Sequence, residues 1–110
     1  MDLKAVNREI LLAFWKVHIL HHADEGPLFG QWMLQELRHH GYDVSPGTLY
    51  PILKRMERNG WLRCQARGTG GSRARKCYRL TAEGRKVLAL IRQQLQELGV
   101  EVMAAGDKSR

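Results

Sequence analysis

Residues 45–80 do most to limit what this chain can fold into. In residues 45–59, Leu49, Ile52, Leu53 and Met56 recur at helical spacing, which predicts a helix with one apolar face. Gly60 offers a stop, because glycine enters the left-handed conformation that closes many helices without a steric penalty. Beyond it, residues 61–66 and 76–80 tolerate strand geometry and flank a glycine-rich spacer, residues 67–75. A helix leading into a hairpin with a long tip is therefore expected. Pro51 leaves the helix start open, since an internal proline removes a hydrogen bond and crowds the carbonyl four residues back. Either the regular helix begins near Gly47 or Thr48, or Pro46 is its first residue and it bends at Pro51.

The remaining segments supply helices around this unit. Leu3, Val6, Ile10, Phe14 (or Ala13), Val17 and Leu20 recur at three- and four-residue steps, predicting a helix over about residues 3–20. A second row of Leu11, Leu12, Trp15 and Ile19 makes most of its circumference apolar, so it needs cover on more than one side. In a chain of 110 residues a partner subunit can supply the second cover. Asp24, Glu25, Gly26 and Pro27 have turn chemistry. A second helix is expected over about residues 29–40, with Gly30, Met33, Leu34 and Leu37 on one face and Gly41 as its stop. Tyr42, Asp43 and Val44 form a connector, and Ser45 is a natural N-cap. Thr81 caps a last helix with Glu83 in its first turn. There, Leu88, Ile91, Leu95, Leu98 and Val102 step by three, four, three and four, a two-heptad seam suited to pairing helices.

This order predicts a mainly α fold with a small β-hairpin, a winged helix-turn-helix. Residues 1–80 would form the DNA-binding domain, 81–104 a dimerisation helix and 105–110 a flexible polar tail.

Charge points to the partner. From Lys54 to Arg79 there are nine cations and one acid, Glu57, a net +8; the other nine cations and ten acids sum to −1, leaving the chain at +7. So concentrated an excess is the footprint expected of a surface that meets a polyanion. No apolar run approaches the roughly 20 residues a helix needs to span a bilayer. The N-terminus, with Asp2 and Glu9 around single apolar residues, has no signal-peptide core, so a cytoplasmic protein is expected. Two cysteines are too few for a disulfide scaffold.

In a winged helix-turn-helix the second of the paired helices enters the major groove, which is wide enough for one helix. Ser45, Gly47 and Pro51 would permit close approach, while Lys54, Arg55 and Arg58 reach phosphates or guanine edges. Thr48 and Tyr50 are placed for hydroxyl contacts, although Tyr50 could equally pack against the preceding helix. Arg67, Arg73, Arg75 and Lys76 at the hairpin tip suit backbone or minor-groove contacts, which position rather than specify.

The string Gly47-Thr-Leu-Tyr-Pro-Ile-Leu-Lys-Arg-Met-Glu-Arg-Asn-Gly60, followed by Arg73-Ala-Arg-Lys-Cys-Tyr-Arg-Leu-Thr-Ala-Glu-Gly84, resembles the PadR family of bacterial transcriptional regulators. With residues 30–41, the resemblance covers nearly the whole chain. It implies a homodimeric winged-helix repressor of the short type, with Thr48, Tyr50, Lys54 and the wing arginines near an operator in double-stranded DNA. It also implies a dimer made by the last helix with the first, through Ile10, Phe14, Val17, Leu88, Ile91, Leu95, Leu98 and Val102. Some short members hold planar aromatic compounds between the terminal helices with a central aromatic residue. Here that position is Leu95, so an effector pocket would rest on Leu95 and Trp15. Cys77 replaces a common wing aromatic, and Trp32 falls on an outward face that is usually polar.

Other chemistry is weaker. His18 and His22 share a helical face near His21, Asp24 and Glu25, so a metal-responsive regulator is one alternative. Histidines in the last turns of two helices, His39 and His40 included, are explained as well by the helix dipole, and no metal or cofactor is expected. Cys64 and Cys77 could form a redox pair only if they faced each other within about 7 Å between Cα atoms. No phosphate loop, nucleophile elbow or metalloprotease motif occurs, so catalysis is not expected. A second alternative is an adaptor whose basic face meets an acidic protein.

Overall fold

A computed structural model describes residues 1–67 and 75–104. Its first helical run starts at α1 (Leu3–Val6), capped by the Asp2 carboxylate, which accepts from the Lys4 and Ala5 amides at 3.1 and 3.2 Å. It passes through a π-helical turn, Asn7–Leu11, and continues as α2 (Leu12–Glu25). The run is thus longer than expected. Residues 21–25 contain no breaker, and the helix yields only at Gly26 and Pro27. A π turn holds more residues than an α turn, so it rotates the apolar rows relative to a simple helical count. Trp15, Ile19, Leu20 and Ala23 end up buried, while Ile10 and Phe14 remain largely exposed.

Two further helices form the helix-turn-helix pair, α3 (Gly30–His39) and α4 (Pro46–Arg58). Both close on a glycine with positive φ, +92° at Gly41 and +82° at Gly60. The following amides turn back into each helix, Tyr42 N–H to Leu37 O at 3.1 Å and Trp61 N–H to Met56 O at 3.0 Å. These are Schellman closures, which need a left-handed residue and explain both glycines. Between the helices, the Arg38 guanidinium donates to the Val44 carbonyl at 3.0 Å, and Val44 is buried.

Pro46 is the first residue of α4, and the helix runs through Pro51 to Arg58. Gly47, four residues before Pro51, has no side chain to add to the crowding. Ser45 occupies the N-cap position, but its hydroxyl lies 3.2 Å from Thr48 Oγ1 and caps no amide. Its backbone carbonyl instead receives the Thr48 and Leu49 amides.

The sheet has three strands rather than a bare hairpin. β1 (Leu28–Phe29), β2 (Leu62–Arg67) and β3 (Arg75–Leu80) are antiparallel in the order β1-β3-β2. A two-residue strand next to a proline has no readable alternation, which is why β1 escapes a sequence reading. Cys64 pairs with Tyr78, and Cys77 with Gln65. The two cysteines therefore stand on adjacent rungs and project to opposite faces, so the facing arrangement a redox pair requires is not present.

The core gathers Ile19 and Leu20 of α2, Met33 and Leu37 of α3, Leu49, Leu53 and Met56 of α4, Leu62 and Tyr78 of the sheet, and Leu88 of α5 (Ala82–Ala104). Thr81 joins α5 to the wing base. Its hydroxyl donates to the Gly60 and Trp61 carbonyls and accepts the Gly84 amide at 2.9 Å. Gly84 lets α5 sit directly on this turn, because a Cβ there would run into the Trp61 carbonyl.

Candidate nucleic-acid interface

The amphipathic pattern of α4 separates its two faces cleanly. Leu49, Ile52, Leu53 and Met56 are buried, while Ser45, Gly47, Thr48, Pro51, Lys54, Arg55 and Arg58 are all exposed. Among the described residues no carboxylate pairs with Lys54, Arg55 or Arg58, so their charge is free for an outside partner. Tyr50 serves both readings open at the sequence level. Its ring lies against Gly30 of α3, where an added Cβ would stand 2.5 Å from Tyr50 Cε1, yet the residue keeps 37% of its surface exposed. Gly30 thus lets α3 and α4 approach, and the Tyr50 ring is held at the edge of the basic face.

The wing adds a second basic surface. Arg63 pairs with Arg79 and Arg67 with Arg75 across β2 and β3. Like charges opposite one another destabilise a strand pair, so a folding constraint alone would not choose the Arg63–Arg79 rung. Arg63, Lys76 and Arg79 are exposed, and Arg73 lies outside the described residues. Deeper in the sheet, burial and the neighbouring Cys64 thiol push the Tyr78 phenol well above its ordinary range. Tyr78 belongs to the core rather than to the exposed basic surface.

The surface expected to pair subunits divides in two. Leu88 is only 2% exposed and is already covered within its own chain, and Ile91 is half-buried. Leu95, Leu98 and Val102 are 45%, 56% and 56% exposed, on a part of α5 that extends past the core. Phe14, Val17, His18, His21, Leu88, Arg92 and Leu95 line a hollow of about 340 Å³ between α2 and α5. Asp24 helps hold the two helices, with Arg85 at 3.7 Å and Arg92 at 3.6 Å. Trp15 does not line this hollow. It is turned into the core edge-on to Tyr42 at 6.0 Å, and its indole Nε1 is buried with no hydrogen-bond partner among the described residues. Within α2 it shares the buried row of Ile19 and Ala23, about 100° round the helix from Phe14.

A feature that sequence reasoning saw only in part lies where α2 meets α3. Glu36 Oε2 stands 3.4 Å from His22 Nε2 and 3.7 Å from His40 Nε2. The His18 ring lies 4.6 Å from that of His40 and 6.3 Å from that of His22, and Tyr42 Oη is 3.4 Å from its Nε2. Burial, then the neighbouring imidazoles of His40, His22 and His21, hold His18 below the ordinary histidine range. On the outer side His22 Nδ1 bonds Glu25 at 2.9 Å, and that bond lowers the Glu25 carboxyl. The sequence pattern placed His18 with His22. Glu36 and His40 join them only through the crossing of two helices.

Known proteins place this arrangement. The profile of the transcriptional regulator PadR-like family matches residues 19–90. The transcriptional regulator Rv3488 of Mycobacterium tuberculosis is 49% identical over 96 residues, which are 87% of this chain and 89% of that one. A PadR family regulator from Eggerthella lenta superposes with a TM-score of 0.73 at 28% identity, over 99% of both chains. A PadR-like regulator from Bacillus cereus superposes at 0.80 over 92% of this chain and 99% of that one, and at 22% identity it attests the fold alone. The winged helix-turn-helix, its basic helix and the match across most of its length agree that this is a regulator and not an enzyme: the chain belongs to the PadR-like family of transcriptional regulators.

Proposed function

We propose that this regulator acts in the cytoplasm as a homodimeric repressor, reading a pseudo-palindromic operator in double-stranded DNA and released by a small-molecule or stress signal. α4 enters the major groove with Gly47 and Pro51 against the DNA, Lys54, Arg55 and Arg58 at phosphates or guanine edges, and Ser45, Thr48 and Tyr50 at its N-terminal end. Arg67, Arg73, Arg75 and Lys76 of the wing meet the backbone or minor groove. The observation that carries this reading is the exposed basic face of α4, unpaired with any carboxylate among the described residues.

Subunits pair through the outer half of α5, at Ile91, Leu95, Leu98 and Val102, with Ile10, Phe14 and Val17 of the first helical run. A helix face this apolar needs cover. The hollow beside Leu95 is the natural seat for an effector, because pairing would close its open side.

The deciding experiment is footprinting on the DNA upstream of the protein's own gene, with affinity measured across salt. Protection of a two-fold site is expected, and log affinity should fall with log salt at about −0.9 per phosphate neutralised. Binding that ignored DNA sequence at physiological salt would sink the operator reading, and no binding to that DNA would favour an acidic protein partner.

A further inference from the structure

We infer that His18 and His22 of α2, with Glu36 and His40 at the C-terminal end of α3, form a binding site for one divalent transition-metal ion of the zinc type. Single ring nitrogens from His18, His22 and His40 all lie within 4.8 Å of one another. The Glu36 carboxylate stands 3.4 and 3.7 Å from two of those rings. Three imidazoles and one carboxylate are the donor number and type that suit a tetrahedral zinc ion, and imidazole-rich sets favour zinc, cobalt and nickel over calcium or magnesium.

The spacings suit an ion better than they suit the side chains alone. Zinc holds imidazole nitrogen and carboxylate oxygen at about 2.0–2.2 Å, so opposite ligand atoms around one ion stand roughly 3–3.5 Å apart. The separations to Glu36 are already near that range, and rotamer adjustment brings the third ring in. The side chains of His22 and Glu36 are only 14% and 23% exposed, so two ligands are partly ordered by their surroundings. Helix-dipole complementation accounts for His22 and His40 at helix ends, but not for His18, a turn earlier in α2 and edge-on to Tyr42. An ion here would tie α2 to α3, the helix whose Gly30 seats Tyr50.

A second trio, His21, His22 and Glu25, shares His22 and lies on the outer side, so the test must separate the two. The full chain, stripped with a chelator, is titrated with zinc chloride by calorimetry and with cobalt chloride by visible absorption. One ion per protomer and the intense visible bands of tetrahedral cobalt are expected. His40→Ala and Glu36→Gln should each weaken zinc binding at least about tenfold, the loss seen when even supporting groups of a metal site are removed. His21→Ala, which removes a ring of the outer trio alone, should leave it within about twofold of the parent. Circular dichroism of each variant confirms that folding is retained. No zinc uptake at tens of micromolar, or parent-like binding by His40→Ala and Glu36→Gln, overturns the site. Loss of binding in His21→Ala instead moves the ion to the outer trio and overturns it equally.

Discussion

α4 and the outer half of α5 are both exposed along a full helical face, but what they expose differs. α4 buries every apolar residue of its stripe and shows the solvent Lys54, Arg55 and Arg58. α5 buries Gly84 and Leu88 and then leaves Leu95, Leu98 and Val102 uncovered. Free cations cost a protein little in water, whereas a run of exposed leucines does not stay wet without cause. The first face is finished and awaits a polyanion. The second is an uncovered apolar surface, which in the proposed homodimer a second copy of the chain completes. Thr81 and Gly84 connect the two, because they seat α5 on the same turn that closes α4.

The largest effect is expected at Leu95. Leu95→Glu would face its symmetry mate across the seam and cost roughly 3–5 kcal/mol of association, as for uncompensated buried charge. Light scattering should find monomer, with operator affinity lost and secondary structure kept. A normal dimer would mean that the exposed leucines serve something else. Gly84→Ala comes next, since its Cβ meets a backbone carbonyl that cannot swing away. Overpacking of this kind should lower stability by about 3 kcal/mol, read as a denaturant midpoint, and should disturb both faces at once.

Substitutions on α4 should touch one face only. Lys54→Ala is expected to weaken operator binding by about 1–3 kcal/mol if Lys54 reaches a base. If Lys54 sits at a phosphate, the salt slope should fall by about 0.9 instead. In either case stability should stay within about 0.5 kcal/mol of the parent. Tyr50→Phe keeps the ring against Gly30 and removes the hydroxyl, so a loss of about 1 kcal/mol in affinity is expected, with melting unchanged. The smallest effect is expected on the wing. Arg63→Glu would turn a like-charged rung into an opposite pair with Arg79 and stabilise the wing by about 0.2–1 kcal/mol, while weakening DNA binding. A gain in stability together with a loss of affinity is the signature of a surface kept basic for its partner.

Several of these residues could be read without a structure. The helix stops at Gly41 and Gly60, the buried stripe of α4 and the cap at Thr81 all follow from neighbours within one or two turns, and all appear where expected. Pro46 could not be chosen over Gly47 or Thr48 as the helix start, because the cost of Pro51 depends on how the second turn packs. The family string is also seen differently. Leu49, Tyr78, Leu80, Thr81 and Gly84 are folding residues, whereas Thr48, Tyr50 and Lys54 of α4 and Lys76 and Arg79 of the wing face outward. The effector pocket expected from Trp15 and Leu95 is not formed by that pair, because Trp15 lies in the core row of α2 with Ile19 while Phe14, Val17 and His21 line the hollow with Leu95.

Taken alone, the sequence determined the order of elements, the two faces of α4 and the concentration of positive charge on α4 and the wing. These are properties of short stretches, set by side-chain period, capping chemistry and composition. Packing between elements, not local pattern, makes Leu28 and Phe29 add a strand to β3, turns Cys64 and Cys77 apart, and buries Leu88 while leaving Leu95 exposed. It also brought Glu36 and His40 to His18 and His22. Each of those outcomes depends on how elements distant in the chain cross and pack, and nothing in the spacing along one element records the angle at which another will meet it.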